Sequence, residues 1–385
     1  MKNFQQDLQL RKQNGLYRQR KILSSPQGRE IILNDQPVLN FCSNDYLGLA
    51  NHPQVKQSFI NGVQQYGVGS GAAHLVNGHT RAHHALEEAL ADFCGYPRAL
   101  LFSTGYMANL GVAQSLCTKH DSIIEDKLNH ASLIDAANIS QARLLRYLHK
   151  DYQSLSGKLA RCQSGEKLLS SDSVFSMDGD EADISQMVNQ CKKHDALLMI
   201  DDAHGFGVLG EQGRGSLNHQ QIKPLDVTVY MATLGKALGT AGAFVAGSDE
   251  LIETLIQSAR CYIYTTAMPA AIAEASRCSL QLLTTENWRQ QALIENIKYF
   301  KQLANQAELN LLESNSAIQP IIIGAAKQAA HISENLLNKG LHVAAIRPPT
   351  VPEKTARLRV TLRADHTRDD IAQLVNEIYQ LINSH

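Results

Sequence analysis

The sequence lacks an excess of charge of either sign and any long apolar run. Its 36 lysines and arginines nearly balance 37 aspartates and glutamates, which leaves a net charge of -1. This balance predicts no basic surface for nucleic acid or for an anionic membrane. No apolar stretch approaches the ~20 residues that a membrane-spanning helix needs, and the polar start Met1–Asp7 lacks the apolar core of a signal peptide. We therefore expect a cytoplasmic protein without nucleic-acid or membrane partners.

Paired cysteine motifs and internal repeats are also missing. The seven cysteines are odd in number and none stands in a Cys-x-x-Cys pattern, so we predict scattered reduced thiols and neither a disulfide framework nor a metal site. At 385 residues the chain exceeds the size at which a single core usually stops growing. One large domain and a smaller one are therefore expected.

What the sequence does contain, from about Asn44 to Arg260, is an alternation of short apolar runs with helical periods. Such alternation is typical of stacked βαβ units around a mostly parallel sheet. The predicted strands are 99–102, 122–125, 167–170, 196–200, 227–231 and 243–246.

The two ends of the chain have a different pattern. The polar start, to about Arg29, predicts a helix followed by a turn at 24–28. After Pro269 a long helical region is expected, followed by a small α+β domain with helix 287–308, strand 319–324, helix 329–339, strand 358–362 and helix 369–382. We predict an N-terminal segment 1–43, a large domain 44–280 and a small domain 281–385.

A lysine and an aspartate follow two of the predicted strands. Lys236 stands in a glycine-flanked turn after one strand, and Asp201 ends another. In a parallel α/β sheet such positions face the ligand crevice. Pyridoxal 5'-phosphate needs both groups, because a lysine amine forms a Schiff base with its aldehyde and a carboxylate keeps its ring nitrogen protonated. Taken alone, the pair fits equally well a surface lysine and a helix-capping aspartate.

Further blocks of sequence resolve that ambiguity. His204 lies three residues after Asp201, and the chain carries the ordered motifs NFCSNDYLG (40–48), FSTGYMAN (102–109), NHASLI (129–134), VFSMDGD (174–180) and IRPPTVP (346–352). In these motifs the chain resembles the α-oxoamine synthases, a branch of the fold type I (aspartate-aminotransferase-like) pyridoxal-phosphate enzymes. The resemblance implies an α/β fold with a large, mostly parallel sheet domain and a small C-terminal α+β domain.

The resemblance also implies a set of site residues and a homodimer. The catalytic residues would be Lys236, His130, Asp201 and His204. The cofactor would be held by these four together with Gly105, Tyr106, Ser176, Thr233, Thr265 and Thr266, the last two reaching the phosphate of the neighbouring subunit. Substrate would contact Arg18, Asn44, His130, Arg347, Thr350 and Arg359.

Two of these assignments rest on physical patterns as well. The segment 103–109 follows a predicted strand and opens a helix, where free backbone N–H groups can bind a phosphate; an ordinary Ser/Thr helix cap is the alternative. Near the C-terminus, a guanidinium fork matches the carboxylate of an amino acid. Motif position favours Arg359 for this role, and surface charge is expected for at least one of Arg357 and Arg359, which share a strand face.

Within the family, the chain is most similar to the branch that condenses L-alanine with a pimeloyl thioester in biotin synthesis. This acyltransferase reaction leaves open whether coenzyme A or acyl carrier protein brings the acyl group. Ala73 aligns with a threonine of the glycine-specific 5-aminolevulinate synthases, and its smaller side chain leaves room for the methyl group of alanine.

Five alternatives compete with this interpretation. Three are sister enzymes, namely glycine C-acetyltransferase, 5-aminolevulinate synthase and serine palmitoyltransferase. The fourth, a non-catalytic partner subunit, requires loss of the lysine, which is present as Lys236. A nicotinamide dehydrogenase is disfavoured, since the Gly-x-Gly-x-x-Gly match at 205–210 continues into loop-type residues instead of an amphipathic helix.

Overall fold

The computed structural model describes residues 4–13 and 16–383. The α-helices are α1 Phe4–Gln13, α2 Pro53–Tyr66, α3 Arg81–Cys94, α4 Gly105–Leu116, α5 Ala131–Ser140, α6 Tyr152–Leu159, α7 Ile184–His194, α8 Ser216–His219, α9 Asp249–Ser258, α10 Arg260–Ile263, α11 Ala270–Thr285, α12 Trp288–Gln306, α13 Ala326–Asn338 and α14 Arg368–Asn383. The strands are β1 Glu30–Leu33, β2 Gln36–Asn40, β3 Arg98–Phe102, β4 Ser122–Asp126, β5 Arg143–Tyr147, β6 Lys167–Asp172, β7 Leu197–Asp201, β8 Val229–Thr233, β9 Ala243–Gly247, β10 Ile318–Gly324, β11 Leu341–His342, β12 Ala344–Ile346 and β13 Ala356–Thr361.

The chain divides into two compact units. The large unit comprises residues 49–176 and 180–290, and the small unit comprises residues up to Gly48, 177–179 and from Gln291 onward. The predicted division into 1–43, 44–280 and 281–385 stays a prediction. Among the described residues, no helix combines the length and apolarity needed to cross a membrane, and a cytoplasmic location likewise stays a prediction.

A seven-stranded sheet in the order β3-β9-β8-β7-β6-β4-β5 forms the centre of the large unit. Strand β9 runs antiparallel to both of its neighbours, and the remaining pairs are parallel. Every residue of β4 and β9 is buried, as expected for strands covered on both faces. The six strands predicted from apolar runs are confirmed, with ends shifted by one or two residues.

The edge strand β5 was not among the predicted strands. Its sequence Arg-Leu-Leu-Arg-Tyr has only two consecutive aliphatic residues, and the strand is partly exposed. A strand with one neighbour does not need a continuous apolar run, so periodicity carried little signal here.

Helices pack closely on the sheet because small residues stand at their contacts. In α4, a Cβ on Gly111 would lie 2.9 Å from the Cys261 Sγ atom. Val112 of the same helix packs into a core with Ala136 and Val245. Burial of each such aliphatic side chain stabilises the fold by about 1.5–3 kcal/mol. These contacts hold the first turn of α4 beside the end of β3.

The carboxyl ends of four adjacent parallel strands meet at one edge of the large sheet. Strand β4 ends at Asp126, β6 at Asp172, β7 at Asp201 and β8 at Thr233. Asp172 and Asp201 are direct partners in the register of β6 and β7. The edge therefore collects carboxylates in the region where an α/β fold binds ligands.

The small unit contains two three-stranded sheets, ordered β1-β2-β11 and β10-β13-β12. In the second sheet the central strand β13 is antiparallel to both neighbours. The predicted C-terminal succession of helix, strand, helix, strand and helix is confirmed, with the short strands β11 and β12 added. The predicted N-terminal helix is present as α1, whereas residues 1–3, 14 and 15 of that segment lie outside the described residues.

Candidate active site

Lys236 lies in a tight turn directly after β8, with its Nζ atom 2.8 Å from the His204 Nε2 atom. Thr233 stabilises this turn, because its hydroxyl donates to the Gly242 carbonyl and accepts from the Gly235 N–H at 3.3 Å. The Leu234 N–H also donates to the Gly242 carbonyl at 2.9 Å. The sequence predicted Lys236 and His204 at one site, and the structure places their side-chain nitrogens within hydrogen-bonding distance.

Asp201 is the last residue of β7 and is only 4% exposed. Its Oδ2 atom accepts a hydrogen bond from Asn109 Nδ2 at 2.9 Å, and its Oδ1 atom accepts one from the Ala203 N–H at 3.0 Å. Hydrogen bonds that a carboxylate accepts stabilise its charged form. The site therefore contains a buried, positioned carboxylate at the sheet edge.

His130 caps the N-terminus of α5, where its Nδ1 atom accepts from the Ser132 N–H at 3.2 Å. The Ser132 hydroxyl in turn accepts from Asn109 Nδ2 at 2.8 Å. Desolvation of the ring lowers the pKa of His130, the Asp201 charge raises it and Lys236 lowers it again. Although the residue is exposed overall, these effects make His130, Asp201 and Lys236 one electrostatic group.

Asp172 belongs to the same group and was missed by the sequence analysis. Its Oδ2 atom accepts the His130 N–H at 2.6 Å. Complete burial raises the pKa of Asp172 well above its usual value, and the neighbouring Asp201 charge raises it further. The signal was available, because Asp172 follows a predicted strand as Asp201 does. Asn109 was quoted within a motif, but nothing in the sequence marked it as the residue that holds Asp201.

The loop that carries His204 is held by Asp202. This buried carboxylate accepts from Ser173, Ser216 and Tyr230, and burial raises its pKa. Gly207 in the same loop has φ +81°, and a Cβ there would lie 2.6 Å from the Ala237 Cβ atom. The glycines of the 205–210 match thus let the loop approach the Lys236 turn. A short 3₁₀ turn and the four-residue α8 follow, so the match is not a dinucleotide fingerprint.

The predicted phosphate segment does follow a strand and open a helix. Thr104 is the N-cap of α4, and its hydroxyl accepts from the Met107 N–H at 3.1 Å. Thr104 is therefore a helix cap, as the alternative interpretation predicted. The Gly105 and Tyr106 N–H groups lie in the first turn of α4, where no carbonyl of the helix accepts from them. A Cβ on Gly105 would make only ordinary contacts, at 3.8 Å or more. Packing within the chain does not demand this glycine, and its role at a phosphate stays a prediction.

The remaining predicted cofactor residues have varied settings. Ser176 is half-buried and follows a bridge between Val174 and Glu181. Thr265 is half-buried, and Thr266 is exposed and bridges to Ala73. Tyr106 donates its hydroxyl to Asp135. The donor set near Lys236 — an amine, a buried carboxylate, two imidazoles and open N–H groups at a helix start — fits pyridoxal 5'-phosphate.

Two of the predicted substrate residues meet in the small unit. Both Arg359 Nη atoms lie 3.4 Å from the Asn44 Oδ1 atom, and Nη1 also donates to the Thr361 hydroxyl at 3.0 Å. Arg357 instead forms an ion pair with Asp178. The expectation that at least one of Arg357 and Arg359 is surface charge is wrong. They are 4% and 7% exposed, because they share a face of the central strand β13 and that face is covered.

Arg18, Arg347 and Thr350 line one cavity of about 1010 Å³ in the small unit. Arg11 contributes a third guanidinium to its wall. The structure thus brings Arg18 together with Arg347 and Thr350 of a distant motif, and all three had been chosen by resemblance alone.

Known proteins resemble this chain over nearly its full length. A family model of class I and II aminotransferases matches residues 36–378. The 8-amino-7-oxononanoate synthase of Nitrosococcus oceani is 53% identical, over 98% of this chain and 100% of that protein. That of Alcanivorax borkumensis is 54% identical, over 97% of each. The chain belongs to the 8-amino-7-oxononanoate synthases.

Solved structures agree with this family in fold. Serine palmitoyltransferase of Sphingomonas wittichii superposes with a TM-score of 0.94 at 28% identity, covering 99% of this chain and 98% of that one. The 8-amino-7-oxononanoate synthase of Francisella tularensis gives a TM-score of 0.79 at 34% identity, covering 90% and 98%. Another serine palmitoyltransferase structure contains pyridoxal phosphate.

Membership of the 8-amino-7-oxononanoate synthases confirms the predicted fold class, the pyridoxal 5'-phosphate cofactor and an acyltransferase activity in biotin biosynthesis. The roles of individual site residues, the subunit arrangement and the acyl carrier stay predictions.

Proposed function

We propose that this enzyme condenses L-alanine with a pimeloyl thioester, with loss of carbon dioxide, to form 8-amino-7-oxononanoate, and that Lys236 is its proton-transferring residue. The 2.8 Å contact between Lys236 Nζ and His204 Nε2 carries the proposal. It lies at the sheet edge that also holds the buried Asp201. The close relatives bear the name of this activity.

When bound, pyridoxal 5'-phosphate supplies an aldehyde that captures the amino group and a ring that accepts electrons from the alanine Cα atom. Lys236 holds the cofactor in the resting enzyme, and its freed amine then removes the Cα proton as general base. His204 shares that proton, because its Nε2 atom is within hydrogen-bonding distance of Nζ. After carbon dioxide has left, Lys236 returns a proton to the same carbon.

Asp201 supplies the negative charge that keeps the ring nitrogen protonated. Asn109 and the Ala203 N–H hold its two oxygens in fixed directions, so no reorganisation is needed when substrate binds. Through Asn109 and Ser132 the same network reaches His130. We assign His130 to the cofactor ring and to alanine, with Asp172 keeping its backbone in place.

Arginines recognise the two substrates. Arg359, oriented by Asn44 and Thr361, is proposed to bind the carboxylate of alanine through its guanidinium fork. The cavity lined by Arg18, Arg347 and Thr350 is proposed to receive the acyl chain, whose distal carboxylate would pair with one of its arginines. Asp7 and Glu353 also line this cavity, so the carboxylate must be directed to the arginine side of the wall. Both assignments rest on contacts within the small unit.

Exposed apolar side chains support a homodimer. Leu75, Val76 and Tyr264 are 52%, 77% and 71% exposed, and the bridge between Ala73 and Thr266 joins their two segments. A water-exposed apolar group of this kind is typical of a protein interface. We propose that this surface pairs with a second copy and that Thr265 and Thr266 reach the phosphate bound there.

A complementation experiment tests the shared site. Subunits with Lys236→Ala are mixed with subunits carrying Thr265→Ala and Thr266→Ala, so that each mixed dimer has one intact composite site. Activity should return in the mixture. Well-formed mixed dimers that remain inactive would contradict the exchange of residues between subunits.

Substrate preference tests the activity itself. Alanine, glycine and serine are compared against pimeloyl and acetyl thioesters, each on coenzyme A and on acyl carrier protein. Alanine should exceed glycine by roughly ten- to two-hundred-fold, since a methyl-sized pocket difference contributes ~1–3 kcal/mol. Ala73→Thr should shift the preference toward glycine. A wild type that already prefers glycine would assign the chain to a sister branch.

A further inference from the structure

Histidines concentrate in a part of the large unit that the proposed reaction does not use. His74, His79, His83 and His84 lie within eleven residues, and Glu87 follows on the same helix α3. A cavity of about 470 Å³ is lined by His74, His79, His84 and Glu87. The prediction of no metal site rested on the cysteine pattern alone and did not take these histidines into account.

His83 cannot serve as a ligand here, because both of its ring nitrogens have partners. Its Nε2 atom lies 2.7 Å from the Met268 carbonyl oxygen, to which it donates. Its Nδ1 atom then accepts from the Thr80 N–H at 3.0 Å, which completes the cap of α3. His83 is therefore structural, and the remaining group is His79, His84 and Glu87.

The ligand atoms of His79, His84 and Glu87 all lie within 4.8 Å of one another. His79 Nε2 is 3.8 Å from the Glu87 Oε2 atom. Ligand distances of about 2.0–2.2 Å in a tetrahedral zinc site put neighbouring ligand atoms only slightly closer than this. Small side-chain rotations would close the geometry, and His84, on the exposed side of α3, would exchange its 3.4 Å contact with the Glu88 Oε1 atom for the ion.

The surroundings orient two of the three ligands. The Glu87 Oε1 atom accepts the Leu101 N–H at 2.9 Å, which leaves Oε2 directed to His79. His79 Nδ1 lies 3.0 Å from His74 Nδ1. We assign the shared hydrogen to His79, so that its Nδ1–H group donates a hydrogen bond to the His74 Nδ1 atom. That arrangement leaves His79 Nε2 as a lone-pair donor, the supporting contact that metal-binding histidines typically have.

Glu87 is a costly residue to bury without a cation. Its side chain is only 12% exposed, and the Leu101 N–H occupies just one of its two carboxylate oxygens. A divalent metal would offset that cost. Two imidazoles and one carboxylate form a donor set suited to zinc, with the fourth position left to water.

We propose that His79, His84 and Glu87 bind one zinc ion per chain, in a site separate from the one that contains Lys236. The ion would join the turn His74–Gly78 and its following residues to helix α3. We expect the bound ion to make that segment more ordered. The segment neighbours the apolar surface formed by Leu75, Val76 and Tyr264.

The test uses the pyridoxal-phosphate-loaded enzyme, dialysed against increasing Zn²⁺, with the bound metal measured directly. Wild type should bind one ion per chain, and His84→Ala and Glu87→Gln should lower the affinity by at least ~10- to 100-fold. Glu87→Gln retains the acceptor for the Leu101 N–H, and His84 is exposed, so both variants should fold. His120→Ala, which removes an exposed histidine elsewhere in the large unit, is the matched control and should bind as wild type does.

Two further readouts separate this site from others. Zn²⁺ should slow amide hydrogen exchange at residues 74–84 in wild type and not in Glu87→Gln. Co²⁺ bound in place of zinc should have no thiolate charge-transfer band. Absence of saturable Zn²⁺ binding in wild type would overturn the proposal. Wild-type affinity in His84→Ala and Glu87→Gln would also overturn it, and so would a thiolate band. Either result would locate the ion at the cysteines or at the cofactor centre.

Discussion

The edge of the large sheet and strand β13 of the small unit both present charged residues that matter for the proposed reaction, yet they differ in how they could be predicted. At the large edge, Lys236 and Asp201 follow apolar strands, and the parallel topology brings such positions together. On β13, Arg357 and Arg359 alternate with apolar residues as on any half-exposed strand. Both arginines are buried, and only their partners distinguish an ion pair from a substrate clamp. Strand position thus identifies a site, whereas the role of a charged residue depends on its contacts.

The largest expected effect comes from Lys236→Ala. Loss of the residue that attaches the cofactor and transfers the proton should reduce turnover by at least ~10²- to 10⁴-fold. Borohydride reduction of wild type followed by peptide mapping should find the pyridoxyl group on Lys236. A label on another lysine would contradict the assignment of Lys236 as the residue that attaches the cofactor at this edge.

Asp201 and Asp172 form a matched pair within the large edge. An adjacent carboxylate favours a protonated ring nitrogen by ~1–3 pKa units, so Asp201→Asn should lower turnover by roughly 10- to 1000-fold. Burial and the Asp201 charge raise the pKa of Asp172 well above its usual value, which favours its neutral form. Asp172→Asn should therefore change turnover by less than ~10-fold.

The measurement for this pair is steady-state turnover together with cofactor absorbance, which reports whether each variant keeps its cofactor. Equal losses in Asp172→Asn and Asp201→Asn would show that Asp172 works as a charge, contrary to the assignment made from its burial.

Replacement of the two β13 arginines should separate stability from binding. Arg357→Met removes the ion-pair partner of Asp178, and because Asp178 is 22% exposed the free energy of unfolding should fall by about 1–3 kcal/mol. Arg359→Met should instead raise the KM for alanine, with a smaller change in stability because its hydrogen bonds to Asn44 and Thr361 are made to neutral groups. Urea unfolding and alanine kinetics measure the two effects. If Arg357→Met alone raised the KM, the clamp would have been assigned to the wrong arginine.

The smallest expected effect concerns His149, which lies away from the lysine. Burial lowers the pKa of His149, but hydrogen bonds to Asp126 and Asp180 raise it to about 9 overall, from a usual value of 6.5. Its stabilising contribution is therefore complete below about pH 6.5 and is lost as the pH rises through about 9. With the side chain 26% exposed, we expect about 1–2 kcal/mol.

His149→Gln should remove this pH-dependent part. The difference in unfolding free energy between wild type and the variant should shrink from pH 6.5 to pH 9.5. A difference that stays constant over this range would mean that His149 is not charged in the folded protein.

The sequence by itself determined the fold class, the cofactor and the residues at the strand ends. Apolar runs such as those of β7 and β8 must be buried on both faces, and the polar residue that ends each run must then emerge at the sheet edge. The motif blocks indicated the family by resemblance, and the roles of Lys236, Asp201 and His204 were implied by that resemblance.

Only the tertiary structure decided what holds those residues and what lies beside them. Asn109 holds Asp201 across 92 positions of sequence, Asp172 supports His130 across 42, and Asp178 pairs with Arg357 across 179. The histidines next to Glu87 became a candidate metal site only when their ring nitrogens could be assigned to partners. Hydrogen bonds between distant segments depend on directions and distances that no local pattern contains, because folding brings those segments together by burying other side chains.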